Sequence, residues 1–207
     1  MLLLDLLGNI YCLRGMYMRL NNQQFVNFLK EKGVNTLYHA NTEVTSQSFI
    51  NHRALLSRGV MEDNNLKMTS QASDSRDKEV NVWYDIFFDD VDIHKRASRK
   101  NHYGGVLFCF DVDILLDQNL EIYVTKTNPI KWSSGNVDYF QDMQEIYQYY
   151  TVGTFGQMIT LKNMDTVLRF QLYLKEIVLD DDTDLYFVQL LNRSNIPYSF
   201  RRCACCR

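Results

Sequence analysis

The chain has 207 residues and a formal net charge of −3, so it lacks the overall positive charge that dominates non-specific binding to nucleic acids. Hydrophobic residues make up 46% and aromatic residues 13%, which is enough for a packed core, and the low counts of proline and glycine exclude a disordered or collagen-like chain. The length fits one domain, which we place at residues 19–200.

Residues 1–18 are predicted to be a leader or a non-native extension. The run MLLLDLLGNI lacks a basic start, Asp5 interrupts it, and it is too short to span a bilayer. Met16 or Met18 is an alternative start. No other segment reaches membrane length, so we expect a cytoplasmic protein without membrane contact.

The first elements in chain order are a helix, a strand and a second helix. The segment 21–33, NNQQFVNFLKEKG, predicts a helix that ends at its glycine, and 35–40, NTLYHA, predicts a strand that carries His39. The segment 45–56 predicts a helix with Thr45 or Ser46 near its N-cap.

Residues 61–79 are polar and aperiodic, which predicts a long loop. Strands dominate the rest of the chain, apart from a short helix over 138–150. The predicted strands are 80–88, 104–115, 120–126, 155–161, 174–181 and 196–202. Because these strands do not alternate regularly with helices, the order predicts an α+β domain with a mixed, mainly antiparallel sheet.

The common catalytic motifs are absent from the sequence. There is no phosphate-binding GxxxxGK[ST] loop, no GxGxxG, no GxSxG and no HExxH, which removes the common nucleotide-hydrolase, dehydrogenase, serine-hydrolase and zinc-protease interpretations. The segment 85–96, DIFFDDVDIHKR, is interpreted as a solvated strand end, with an oxygen and imidazole metal site as the alternative. The continuous apolar run Val106–Phe110 predicts a buried central strand in which Cys109 is a small core residue.

Five cysteines, an odd number, do not predict a disulfide framework, and a reducing cytosol is the simpler interpretation. Three of them lie in the tail 201–207, RRCACCR. This tail is interpreted as flexible and rich in thiols, with a zinc-binding or oligomer-linking role as the alternative.

Two stretches together resemble NAD-dependent ADP-ribosyltransferases of the DarT-like branch, which are toxins that modify nucleic-acid bases. LYHANT…FINHRALLSRG resembles their first core strand, the helix after it and a Gly-Leu-Leu-Ser-Arg type turn. YDIFF followed by YGGVLFCFDVDIL resembles their paired core strands. The resemblance can be followed from about residue 35 to 180, and it implies a split, mainly antiparallel sheet flanked by short helices.

The resemblance implies a role for individual residues. NAD is the expected co-substrate, and its ribose hydroxyls and pyrophosphate must be held while positive charge develops on the ribose. His39 then holds a ribose hydroxyl, with Asn41 beside it where the family has Thr or Ser. Arg58 or Arg76 meets the pyrophosphate, and Tyr84, Phe87 or Phe88 stacks on nicotinamide. We therefore expect one cleft that joins His39, Tyr84 and Gln157.

The chain departs from the family at the catalytic glutamate of a late core strand. The matching stretch, FGQMITL, has Gln157 there, and a glutamine cannot act as a base at neutral pH. Three interpretations stay open. Gln157 positions the ribose or the base while another residue supplies the base catalyst, Glu145 is that catalyst, or the protein binds NAD or nucleic acid without catalysis.

The resemblance thus predicts an enzyme that transfers ADP-ribose from NAD to a base of single-stranded DNA or RNA, as a toxin neutralised by an antitoxin protein and used in anti-phage defence or growth control. The net charge of −3 argues against a nucleic-acid target, but a local channel of basic and aromatic residues could bind a single strand in spite of it. The candidates for this channel are Arg96, Arg99, Lys126 and Trp132. The alternatives are modification of a protein, or a non-catalytic binding relative.

Overall fold

The computed structural model of the chain describes residues 2–4, 10–12, 17–96 and 103–201. The helices are α1 Asn22–Glu31, α2 Glu43–His52, α3 Arg58–Asp63, α4 Asp74–Glu79, α5 Ile93–Arg96, α6 Met143–Tyr149 and α7 Leu185–Ser194. The strands are β1 Leu2–Leu4, β2 Ile10–Cys12, β3 Thr36–Asn41, β4 Ala54–Leu55, β5 Ile86–Phe88, β6 Val106–Asp111, β7 Ile122–Val124, β8 Ile159–Leu161, β9 Leu168–Arg169, β10 Leu174–Leu179 and β11 Tyr198–Phe200. Short 3₁₀ turns cover Val112–Leu116 and Pro129–Lys131.

Two sheets form the centre of the molecule. One has the strand order β11-β10-β6-β3 and the other the order β5-β8-β7. All their pairs are antiparallel except β10 with β11. The sheets meet where Tyr38 of β3 and Asp89, directly after β5, exchange two backbone hydrogen bonds of 2.9 Å. The predicted α+β class with a split, mainly antiparallel sheet is confirmed.

The main core contains buried residues of both sheets and of the helices packed on them. Val106–Phe110 of β6 are all buried, as a central strand requires. The phenylalanines of one face, among them Phe108 and Phe110, join the main core with Phe25, Phe28 and Phe49. Cys109 lies on the opposite face, 5% exposed, among Ile93 and Leu107. Since burial of aromatic side chains is a large stabilising term, this cluster fixes the strands that carry the cleft residues.

Capping side chains set the helix starts. Asn21 accepts a hydrogen bond from the backbone of Gln24 and begins α1. The second helix begins earlier than predicted, because Thr42, not Thr45 or Ser46, is its N-cap. Thus β3 passes directly into α2, and the residues that follow His39 are fixed by the cap of a helix.

Several predicted boundaries are wrong. The segment 61–79 is not one long loop, because it contains the end of α3 and all of α4. The strands predicted at 80–88, 104–115 and 155–161 are shorter, at Ile86–Phe88, Val106–Asp111 and Ile159–Leu161. Helix α7 was not predicted. Asp184 caps it, and it buries Phe187 and Leu191 at i, i+4 spacing, which is the signal that could have revealed it.

The two ends of the chain differ in how far they are described. In the predicted leader, β1 and β2 form an antiparallel pair. Residues 202–207 of the cysteine-rich tail lie outside the described residues, so the zinc hypothesis concerns a part of the chain that the structure does not cover. Within the described ranges no helix combines the length and the apolar character needed to cross a membrane.

Substitution of Gly104 by alanine should lower stability strongly. Gly104 has a φ of +94°, and a Cβ there would overlap the backbone carbonyl group of Asn41. Gly33 is the matched control, because its φ is +81° and a Cβ would meet nothing within 4 Å. In urea unfolding, the free energy of unfolding should fall by about 1–3 kcal/mol more in Gly104→Ala than in Gly33→Ala, because only the first substitution creates the overlap. Equal losses would contradict the predicted contact.

Candidate functional site

A central cleft of about 580 Å³ opens where the two sheets meet. Residues from β3 and the start of α2 form one wall, and residues from β5 and the segment before it form another. The segment between α3 and α4 and the turn before β8 complete it. Its polar lining includes His39, Asn41, Thr42, Arg58, Thr69, Ser73, Asp77, Asp85 and Asn128, and its apolar lining includes Phe49, Trp83, Phe87, Ile130 and Phe155.

His39 is held as a neutral imidazole at the junction of the sheets. Its Nδ1–H donates to the carbonyl oxygen of Phe87 at 2.9 Å, and its ring contacts Phe49, Phe88 and Phe108. Burial lowers the pKa of His39 below its ordinary value, against the opposing effect of the Phe87 carbonyl. With Nδ1 donating, Nε2 is an acceptor, 3.5 Å from the side-chain amide nitrogen of Asn41. It can therefore accept a hydrogen bond from a ligand hydroxyl.

Arg58 lines the cleft, and only some of its guanidinium donors form hydrogen bonds. Its Nη2 donates to Asp74 at 2.7 Å and to the Thr69 carbonyl at 3.1 Å, and the group lies over the ring of Trp83 at 5.2 Å. Its Nε and Nη1 are buried and have no hydrogen-bond partner among the described residues. Unpaired buried donors are costly, and a guanidinium fork suits the oxygens of a phosphate. Arg58 is thus arranged to bind an oxyanion.

Three carboxylates line the cleft, at positions 77, 85 and 89. The side chain of Asp85 is 1% exposed, pairs with Lys162 at 3.0 Å and accepts from the backbone of Asn163. Burial raises the pKa of Asp85 in spite of Lys162. Burial also raises the pKa of Asp77, whose Oδ2 accepts from the Ser73 hydroxyl at 2.9 Å. Both carboxyl groups therefore lie in surroundings of low polarity.

The cleft brings together four of the residues predicted for it, His39, Asn41, Arg58 and Phe87. Tyr84 was expected there and does not line it, because its hydroxyl donates to Asp63 and its ring packs against Gly59.

Arg76, the alternative to Arg58 for the pyrophosphate, also lies outside the cleft. It pairs with Glu79 at 2.7 Å across one turn of α4, on the outer side of that helix.

The two residues predicted as catalytic beside His39 also lie outside the cleft. Gln157 precedes β8 instead of lying in it, and its Oε1 accepts from the backbone of Thr151 at 3.1 Å, although its neighbours Gly156 and Met158 line the cleft. Glu145, near the start of α6, pairs with Lys126 at 2.6 Å and accepts from the backbone of Gln141. The expected cleft joining His39, Tyr84 and Gln157 is therefore wrong in two of its three members.

The predicted basic and aromatic channel is not formed by its described members. Lys126 is paired with Glu145. Trp132 is 3% exposed, donates to the Thr127 hydroxyl and packs edge-on against Tyr139, so it is a core residue. The side chain of Arg96 and the whole of Arg99 lie outside the described residues.

The acidic tract after β5 is neither a solvated rim nor a metal cluster. Asp90 is 5% exposed and accepts from the Tyr150 hydroxyl and the Gly153 backbone. Asp92 pairs with Arg201, and hydrogen bonds from His94 and Arg201 hold its pKa below the ordinary value although burial alone would raise it. Across the described ranges no His, Cys, Asp or Glu group has metal-binding geometry. These side chains act as buried structural anchors.

The two-sheet fold is similar to that of a DarT protein of known structure. DarT of Thermus sp. 2.9 in complex with ADP-ribosylated single-stranded DNA aligns with a TM-score of 0.52 and 10% identity, over 82% of this chain and 95% of that one. The same DarT in complex with NAD⁺ aligns with a TM-score of 0.48 and 10% identity, over 81% and 96%. No protein-family model and no curated protein matches the sequence. The DarT-like fold that the motifs predicted is confirmed.

The lowered pKa of His39 predicts a pH-dependent stability difference. The unfolded chain takes up a proton near pH 6.5 that the folded chain resists, so the contribution of His39 is complete above that pH and is lost as the pH falls below it. His39→Gln keeps a donor for Phe87 and has no titration. Between pH 7.5 and 5.5, the free energy of unfolding of the wild type, measured with urea, should fall by about 1 kcal/mol more than that of this variant. A constant difference across that range would contradict the burial of a neutral His39.

Proposed function

We propose that this protein is an NAD-dependent ADP-ribosyltransferase that transfers ADP-ribose to a base of single-stranded DNA and releases nicotinamide. The observation that carries the proposal is that Arg58, with two guanidinium nitrogens that have no partner among the described residues, lines the same cleft as the neutral His39 within a DarT-like fold. A dinucleotide carries a group for each residue. Its pyrophosphate oxygens can accept hydrogen bonds from Arg58, and its ribose hydroxyls can donate to His39. The cleft volume of about 580 Å³ lies within the range of small-molecule sites.

Each cleft residue has a role in this reaction that follows from its chemistry. Arg58 binds the pyrophosphate through its guanidinium. Because Nε and Nη1 are buried, the side chain must shift toward the ligand to present them, while Asp74 and Trp83 keep the group at the cleft. His39 accepts a hydrogen bond from a ribose hydroxyl at Nε2, and its other nitrogen is fixed on Phe87. Breaking the bond between nicotinamide and ribose leaves positive charge on the ribose, and a neutral imidazole adds no repulsion to it. The surrounding apolar side chains, Phe49 and Phe87 among them, exclude water from this region.

Single-stranded DNA is the proposed acceptor because the DarT of the same fold has been solved with ADP-ribosylated single-stranded DNA. Ile130 and Phe155 line the cleft and are 49% and 56% exposed, so they offer apolar surface at its mouth. Apolar and aromatic side chains bind unpaired bases by stacking, which requires no net positive charge. A toxin role, a neutralising antitoxin partner and action in the cytoplasm remain predictions of the motif resemblance.

The direct test is transfer of label from NAD to separate pools of single-stranded DNA, RNA and protein. The wild type should label DNA and release nicotinamide in equal amount. His39→Ala should lower both by about 100-fold or more, since loss of a positioning contact misplaces the reacting ribose. His52→Ala is the matched control, because His52 is an exposed residue of α2 that does not line the cleft.

The outcomes separate the alternatives. If RNA or protein is labelled and DNA is not, the labelled pool and not DNA is the acceptor. No label and no nicotinamide release would favour a non-catalytic binding relative. Full activity of His39→Ala would contradict the role given to that residue.

Arg58 should determine affinity for NAD through its fork of donors. Arg58→Lys keeps the charge and removes the two donors that have no partner among the described residues. Binding of NAD should therefore weaken about 10- to 100-fold, in line with the loss of charge-assisted hydrogen bonds. Arg76→Lys is the control, because Arg76 lies on the outer side of α4. Isothermal titration with NAD gives the dissociation constants, and thermal unfolding checks that both variants fold. Equal affinity of the two variants would contradict pyrophosphate binding by Arg58.

A further inference from the structure

Asp77 is an accessible carboxylate of the cleft that has no ion-pair partner among the described residues. Asp85 is almost fully buried and is neutralised by Lys162. Asp77 is partly exposed, lines the cleft, and bonds through Oδ2 to a neutral hydroxyl, that of Ser73. Among the residues that the structure describes, no lysine or arginine forms an ion pair with Asp77. Its carboxylate is therefore able to take up a proton from a bound molecule.

Helix α4 points Asp77 inward. Asp74 and Asp77 are three residues apart and share one face of the helix, which is the face toward Arg58 and the cleft. The other charged residues of this helix pair elsewhere, Arg76 with Glu79 and Lys78 with Glu62. The chain is also fixed after the helix, because Val80 and Val82 are buried in a cluster with Trp132 and Tyr139. The position of Asp77 is therefore held from both ends of α4.

The proposed reaction needs a proton acceptor in the cleft, and Asp77 is a carboxylate that lines it. A base nitrogen that attacks the ribose through an N–H group must lose its proton. The residues expected to take this proton do not line the cleft, since Gln157 bonds to Thr151 and Glu145 pairs with Lys126. On the basis of the function proposed above, we propose that Asp77 is the catalytic residue that accepts this proton from the target base. Its role replaces that of the glutamate expected at position 157.

The step balances in atoms and electrons. The lone pair of the base nitrogen forms the new bond to the ribose C1′, and the bond from C1′ to nicotinamide breaks, with its electron pair leaving on nicotinamide. The proton of the attacking nitrogen passes to the carboxylate of Asp77, which later releases it to water. No oxidant or metal enters the balance. Burial raises the pKa of this carboxyl group, which makes its anion a stronger base than an exposed aspartate.

The groups around Asp77 also predict how kcat depends on pH. The Ser73 hydroxyl and Arg58 lower its pKa, whereas Asp74 and Asp85 raise it along with burial. Ser73→Ala removes the hydrogen bond to the carboxylate and leaves the carboxylate in place. The acid limb of the profile of kcat should then move to higher pH, because the ionised form has lost a stabilising donor.

The experiment compares Asp77→Asn, Asp77→Glu and Glu79→Gln of the full chain in the DNA-labelling assay. Asp77→Asn should lower kcat by about 100-fold or more while the dissociation constant for NAD changes less than about threefold. Asp77→Glu should recover part of the loss. Glu79→Gln, on the outer side of α4, should match the wild type in rate and pH profile.

Each result bears on a different claim. Rates within about threefold of the wild type in Asp77→Asn, or an unmoved acid limb in Ser73→Ala, would overturn the role of Asp77 while leaving the transferase function intact. A wild type that neither binds NAD nor labels DNA would overturn the proposed function itself. A loss of rate in Asp77→Asn together with lost NAD binding would show that Asp77 supports the site and does not act on the base.

Discussion

The junction of the two sheets is the constraint on which the site depends. Tyr38 and Asp89 exchange backbone hydrogen bonds across this junction, and the Nδ1 of His39 donates to the carbonyl of Phe87 one step further along. The two contacts place β3 beside β5, so the walls of the cleft come from different sheets. The same contact that joins the sheets sets the tautomer of His39. A change at this junction would therefore alter both the shape of the cleft and the acceptor that faces a ligand.

The sequence predicted the residues whose role follows from local pattern. His39 and Arg58 were found because LYHANT…FINHRALLSRG resembles the first core strand, helix and turn of DarT-like enzymes. In the structure His39 lies near the end of β3, and Arg58 begins α3 directly after its N-cap, Ser57. Both are fixed within a few residues of an element boundary. The apolar run of β6 was equally clear, since every residue in it is buried. These features depend on near neighbours in the chain, which a sequence pattern displays.

The errors concern long-range polar pairs. Lys126 looked like a free cation for nucleic acid, but Glu145 lies against it from 19 positions further along the chain. Asp85 looked like part of a solvated tract, but Lys162 neutralises it from a separation of 77. In both cases a charged residue suited to function is satisfied by a distant partner, and sequence spacing carries no signal for such a pair.

The location of Asp77 changes how the missing glutamate should be understood. A catalytic carboxylate on a sheet strand is fixed by the ladder of hydrogen bonds around it. Asp77 instead lies on a helix of six residues whose position depends on the buried Val80 and Val82 and on the contact between Asp74 and Arg58. In the proposed function Arg58 also binds the pyrophosphate, so bound substrate and the helix that carries the proposed base would meet at one guanidinium. Binding of the dinucleotide and placement of the proton acceptor would then be coupled through Arg58, a link that a carboxylate on the strand would not have.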